Sequence, residues 1–161
     1  MLKQIVFAVM LIVSGISIAQ NGTTSPYSFF GIGELKFKGT AENRSMGGLN
    51  IFSDSIHLNI QNPASVANLR LVNFTSGGSY KYVNQETETA SQYASATTLD
   101  YLAMGIPMGK FGAMFGILPY TAVGYKLESI TDSTDAQYTG TGGMNKVFFA
   151  LAYQVTPKFN I

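Results

Sequence analysis

The stretch TTLDYLAMGIPMGKFGAMFGILPYTAVGYKL, Thr97–Leu127, decides the fold. Gly109-Lys110 divides it into two extended runs, a two-residue connection of hairpin type. After the turn, Phe111, Ala113, Phe115, Ile117, Pro119, Thr121, Val123, Tyr125 and Leu127 occupy every second position. The face between them is small, with Gly112, Gly116, Ala122 and Gly124. A period of two is the signature of a strand, and this one is predicted over 111–127. Before the turn, 97–108 reads as a strand that is apolar on both faces.

The pattern repeats on either side. A strand is predicted over 69–84, with Val72, Phe74, Tyr80 and Tyr82 on one face and Asn73, Thr75, Ser79 and Lys81 on the other. Another is predicted over 144–156, where Val147, Phe149, Leu151, Tyr153 and Val155 alternate with Lys146, Ala150, Ala152, Gln154 and Thr156. Pro157-Lys158 turns, and a fifth strand starts at Phe159. The connections alternate between long polar stretches, Gln85–Ala96 and Glu128–Gly143, and two-residue turns. Outer-membrane barrels have long extracellular loops and short periplasmic turns. The two polar stretches are therefore expected outside, with the N-terminus on the periplasmic side.

Composition fits that layout. Charged residues make up 12% of the chain, about half the usual share of a soluble domain, while Gly, Tyr and Phe number 17, 9 and 11. After Ile16 no uncharged apolar run is long enough for a membrane-spanning helix. The absence of Cys excludes disulfides and thiolate metal sites, and a net charge of +1 gives no electrostatic footprint for nucleic acid. At the N-terminus, Lys3, the apolar run Ile5–Ile16 and the small residues of Ser17-Ile18-Ala19 have the three-part layout of a signal peptide, with cleavage expected before Gln20. Residues 20–68 lack repeating strands and read as an irregular segment ahead of the sheet. Four strands and the start of a fifth do not close a barrel, which takes about eight or more. The expected fold is all-β: the first four to five strands of a transmembrane antiparallel β-barrel, preceded by a small irregular N-terminal hatch, in a chain that is incomplete at its C-terminal end.

Within residues 41–69, Asn43-Arg44-Ser45-Met46-Gly47-Gly48 is followed by Asp54-Ser55 and then Asn62-Pro63-Ala64-Ser65. This succession resembles the N-terminal region of FadL-like outer-membrane transporters, in which an Asn-Pro-Ala element belongs to a small hatch ahead of a fourteen-stranded barrel. The resemblance implies a passive transporter of hydrophobic small molecules such as long-chain fatty acids. The alternative is a barrel serving as a secretion shuttle or interaction partner in the outer membrane. It implies that Asn62, Pro63 and Ala64 fix the hatch against the wall. It also implies a lateral opening in the third strand, for which Pro119, flanked by Gly116 and Gly124, is the candidate. A proline inside a strand cannot donate to the ladder, so a bulge with no transport role explains Pro119 equally well.

Other residues carry less. His57, the single histidine, lies two positions from Ser55, but no third group completes a triad, and a polar role in the hatch is the simpler reading. Asp132 and Asp135 lack the spacing of a calcium loop, and Gly140-Thr141-Gly142-Gly143 is followed by neither the Lys-Ser/Thr nor the helix of a phosphate loop. No catalytic residues, metal or cofactor are expected, and the chain is expected not to be an enzyme. The expected partners are outer-membrane lipid, a hydrophobic small-molecule substrate and the barrel assembly machinery. The expected location is the outer membrane of a Gram-negative bacterium.

Overall fold

The computed structural model describes residues 22–86, 91–131 and 134–161. The expected signal peptide, part of the first expected loop (residues 87–90) and Asp132 lie outside the described residues. The elements are β1 (Glu34–Leu35), α1 (Ala41–Ser45), β2 (Asn73–Glu86), β3 (Ser91–Met108), β4 (Phe111–Thr131), β5 (Thr134–Thr156) and β6 (Phe159–Asn160), with 3-10 turns at Pro26–Phe29 and Pro63–Asn68. Strands β2 to β6 are antiparallel neighbours in chain order, and β1 adds to β4. Together they make a half-barrel. Among the described residues no helix is long and apolar enough to cross a membrane.

The hairpin at Gly109-Lys110 forms as its residues dictate. Gly109 takes φ 71°, a left-handed conformation that a side chain disfavours, and lets Met108 pair with Phe111. The alternation in β5 is also realised, with Val147, Phe149, Leu151 and Val155 all exposed on the outer face.

Three expectations fail at the strand ends. Most of Gln85–Ala96 is not loop, because β2 and β3 stay paired as far as Glu86↔Ser91. Nor is most of Glu128–Gly143 a loop, because β4 and β5 stay paired as far as Thr131↔Thr134. Polar composition does not prevent a ladder, since Thr, Tyr and Ser fit a pleated surface whose two faces both meet water. The Gly140–Gly143 run accordingly lies inside β5, opposite Tyr125, Gly124, Val123 and Ala122. At the other end, β2 starts at Asn73 rather than Leu69, because Leu69 closes the Pro63–Asn68 turn and is buried.

Two bulges interrupt the regular alternation. Gly77 pairs with Tyr101 and Gly78 with Leu99, so Asp100 is an extra residue in β3. Pro119 pairs with Asn145 and Thr121 with Met144, so Tyr120 is an extra residue in β4. A bulge breaks the every-second-residue rule. Of the predicted outward set of the third strand, Phe111, Phe115 and Ile117 are exposed, whereas Ala113, before the bulge, and Thr121, at it, are buried.

The inner face carries the core. Leu58, Ile60, Val66, Ala67 and Leu69 from the N-terminal segment pack on Tyr101, Ala103, Met114, Leu118 and Ala152 of the sheet. This explains why β3 reads as apolar on both faces: Tyr101 and Ala103 lie under the segment while Leu99 and Leu102 face out. Tyr101 lies across Gly77, where a Cβ would come within 2.3 Å of its ring.

Candidate functional site

Two features of the half-barrel offer surfaces for function: the seat of the N-terminal segment on the inner face, and a seam in the wall.

The segment is held by polar contacts that its own sequence prepares. Thr40 caps α1, accepting from the Asn43 amide, while the Asn43 side chain accepts from the Thr40 amide at 3.2 Å. Both residues are buried with their hydrogen bonds made, and Asn43 Nδ2 donates to Leu49 O at 2.8 Å. The capped helix delivers two contacts to β3. The Ala41 amide donates to the Tyr101 hydroxyl at 3.1 Å, and Arg44 pairs with Asp100 at 3.2 Å. Asp100 also accepts from Ser79 and Thr98, so the bulge turns a carboxylate inward with three donors around it. Further along, Asn59 Nδ2 donates to the carbonyls of Asn50 and Phe52, which ties the chain into a compact loop.

The Asn62-Pro63-Ala64 element caps and opens the Pro63–Asn68 turn, with Pro63 at its first position and Ser65 donating back to Asn62 O at 2.7 Å. The three residues themselves are half-buried or exposed. The residues that meet the wall come next: Ser65, Val66 and Ala67 are buried. A Cβ on Gly112 would lie 2.5 Å from Val66 O, so the turn can rest directly on β4 only because that position is glycine. The closest approach to β4 is made by Val66 and Ala67 of the turn that Asn62-Pro63-Ala64 opens. The apolar pair Val66-Ala67 beside a small-residue face on β4 is the signal that could have found it.

The seam lies between β3 and β4. Their ladder runs from Met108↔Phe111 to Leu102↔Ile117 and stops. Continued two steps, that register would set Asp100 against Pro119. The two bulges therefore fall at the same level, and Pro119 has no amide to donate there. Beyond it β3 is held by β2 and β4 by β5. The chain itself enters the gap. In β1, Glu34 pairs with Ala122 and Leu35 with Thr121, and the Lys36 amide donates to Tyr120 O at 3.0 Å. Glu34 reaches Lys81 of β2 at 3.0 Å, and Gln85 of β2 donates to Thr24 O at 2.6 Å. Gly124 donates to the Ser28 hydroxyl at 3.1 Å, and Thr23, buried, lies where a Gly124 side chain would be. Of the candidate gate residues, Pro119 thus adjoins a bulge at the ladder's end and Gly124 seats the N-terminal segment. Gly116 lies in the paired part of the wall, opposite Ala103.

His57 pairs with Asp54 rather than with Ser55, its Nδ1 lying 2.5 Å from Asp54 Oδ2. That hydrogen bond raises the His57 pKa above the ordinary imidazole value and lowers that of Asp54 below the ordinary carboxylate value. The raised His57 contributes fully below its unfolded pKa, about 6.5, and its contribution is lost as pH rises through the folded value. The lowered Asp54 contributes fully above its unfolded pKa, about 3.9, and its contribution is lost as pH falls through the folded value. The pair is at full strength between those limits. The single histidine should titrate above its ordinary value by NMR, and Asp54→Asn should bring it back down. An unchanged midpoint in that variant would dissolve the pair.

Among the described residues no group of three metal-ligating side chains converges. Beside this packing, an open cavity of about 650 Å³ lies between part of the N-terminal segment and β4 and β5, with Lys38, Lys146, Gln61, Met114 and Leu118 in its lining.

A family model described as BamG matches residues 1–161. No curated protein and no solved structure is matched. The match covers every residue and corrects the FadL-like reading, which rested on short turn-forming elements. A turn opened by Asn62-Pro63 ahead of a strand is what those residues form in any setting. With that reading goes its main functional consequence, the transport of fatty acids or other hydrophobic small molecules, together with the small-molecule substrate as a partner.

Proposed function

Because the chain belongs to the BamG family, we propose that it acts in outer-membrane protein assembly as a non-enzymatic partner of the barrel assembly machinery. The family match over the whole chain carries this reading. It favours the alternative of an interaction partner in the outer membrane over the transporter.

The outer face supports a place in the lipid. Phe74, Phe111, Phe115, Val147, Phe149 and Leu151 are all exposed on the wall, with Phe149 at 68% and Leu151 at 63%. So extensive an exposed apolar surface is not stable in water and requires a cover. Hydrocarbon suits the part of the wall where these residues lie, because its antiparallel ladders pair the backbone there. β5 has 23 residues, which at about 3.3 Å each extends well past an apolar band of about 25 Å. The polar ends of the two hairpins, near Glu86 and Thr131, would then project beyond the bilayer. The stacked Tyr82–Tyr93 pair, centroids 5.5 Å apart, suits an interfacial level. In this setting the inner N-terminal segment serves as the hatch.

The test is paired. Tagged full-length protein, extracted from outer membranes in mild detergent, should bring the assembly machinery with it. Its depletion should lower the outer-membrane content of folded barrel proteins while leaving uptake of hydrophobic compounds unchanged. Normal barrel-protein levels after depletion, without co-purification, would reject the proposal.

A further inference from the structure

The seam leaves two strand edges facing each other. On one side is β3 from Ser91 to Tyr101, on the other β4 from Leu118 to Thr131. Among the described residues the strand pairing between them is β1, two residues long, and it meets only β4. Backbone N–H and C=O groups along such edges need partners, and an unpaired edge is a template for another strand. The slot already selects extended backbone, since β1 sits there through main-chain hydrogen bonds.

β1 is lightly held. Gly31 (φ 60°) and Gly33 (φ 94°) precede it and give the chain two joints between it and the Ser28 anchor. In its ion pair with Lys81 the lysine is half exposed, and Glu34, 29% exposed, also accepts from the Thr23 hydroxyl of the same segment, so the Lys81 contact can pass to water when β1 leaves. Leu99 on the β3 edge and Leu35 of β1 are exposed, and Leu102 and Ile117 are exposed where the ladder ends beside the slot, so apolar side chains border its lower end. An occupant that continued this wall would need an apolar side chain at every second residue and a backbone free to pair on both edges.

We infer that the β3–β4 slot is a strand-acceptor site for an extended strand of another outer-membrane barrel chain. The incoming strand displaces β1 and completes the ladder on both edges. The inference rests on the assembly role proposed above and names the partner's chemistry: an amphipathic strand of alternating apolar residues.

Leu35 and Thr121 stand directly opposite each other, and the native chain has no cysteine, so Leu35→Cys with Thr121→Cys gives a reducible lock on β1. The probe is a biotinylated peptide with the sequence of residues 144–156, a barrel strand of the required alternation. Full-length protein in detergent micelles carries p-benzoylphenylalanine in place of the exposed Thr97 on the β3 edge. Irradiation should give adducts at one peptide position and at those two residues away, the periodicity of a paired strand. Oxidising the lock should reduce the yield about tenfold, and reduction should restore it, as expected if β1 competes for the slot. Adducts spread over consecutive positions, indifferent to the lock, would mean adsorption on an apolar surface and overturn the inference. Cross-linking only to a second copy of the protein would overturn it in favour of self-association. No adduct, with co-purification of the assembly machinery intact, rejects the slot and leaves the assembly role standing. Adduct formation without co-purification rejects that role and keeps the slot.

Discussion

Replacing Gly112 by alanine should lift the Pro63–Asn68 turn off the wall while leaving the sheet in place. The added Cβ would lie 2.5 Å from Val66 O and 2.7 Å from Val66 C, far inside contact distance. Both neighbours are backbone, so no side chain can swing aside. β4 cannot yield either, because Gly112 is fixed between Pro107 on β3 and Ala152 on β5. The turn must therefore move, and with it Val66, which is 1% exposed. Overpacking of this kind costs about 1–3 kcal/mol. Undocking of the turn should accordingly become roughly five- to hundredfold more frequent. A thiol reports it: Ala67→Cys, buried beside the seat, should resist maleimide in the parent and react when Gly112→Ala is added. Phe149→Cys on the outer face should react equally in both, and the far-UV circular dichroism of the sheet should not change. Continued protection of the Ala67→Cys thiol in the Gly112→Ala background would show that the turn is not seated on this glycine.

That seat also shows where sequence reading stops. The outer alternation of β5 was legible because one face of a strand sees one environment, so Val147 through Val155 record it residue by residue. The reading of β4 departs from the structure at the bulge, where Thr121 is buried, and nothing in Pro119-Tyr120-Thr121 announces which residue will be the extra one. Polar composition made Gln85–Ala96 and Glu128–Gly143 look like loops, yet composition reports solvation, not pairing. Asn62-Pro63-Ala64 was correctly singled out as a turn, but a turn is a local property and carries no family. What Gly112 and Gly124 do could not be read at all, since the residues that approach them, Val66 and Thr23, are remote in sequence. The small face of β4 was visible as a pattern. Its partner was not.

Removing the β4 bulge should close the seam. In a variant with Tyr120 deleted and Pro119→Val, the pairing of β4 with β5 keeps its register on both sides, because residue 119 already faces Asn145 and Thr121 already faces Met144. What is lost is the extra residue and the local twist that a bulge imposes. Valine restores an amide where proline had none and favours a strand. The β3–β4 ladder, now ending at Leu102↔Ile117, can then continue past Asp100. Deletion also removes the carbonyl that accepts from the Lys36 amide and the ring over which Lys38 Nζ lies at 4.7 Å, so β1 loses two of its attachments as the edges approach. Counted along the closed register, Thr97 would face Val123. Each added backbone hydrogen bond contributes about 0.5–1.5 kcal/mol. Several together exceed the 1.4 kcal/mol that makes a tenfold change. Thr97→Cys with Val123→Cys should therefore oxidise to a disulfide at least about tenfold faster in the closed variant than in the parent, where the edges stand apart. Equal rates in the two backgrounds would mean that the bulge and the proline do not hold the seam open. The contacts of Thr23 and Ser28 with Gly124 would then be the features that separate β3 from β4.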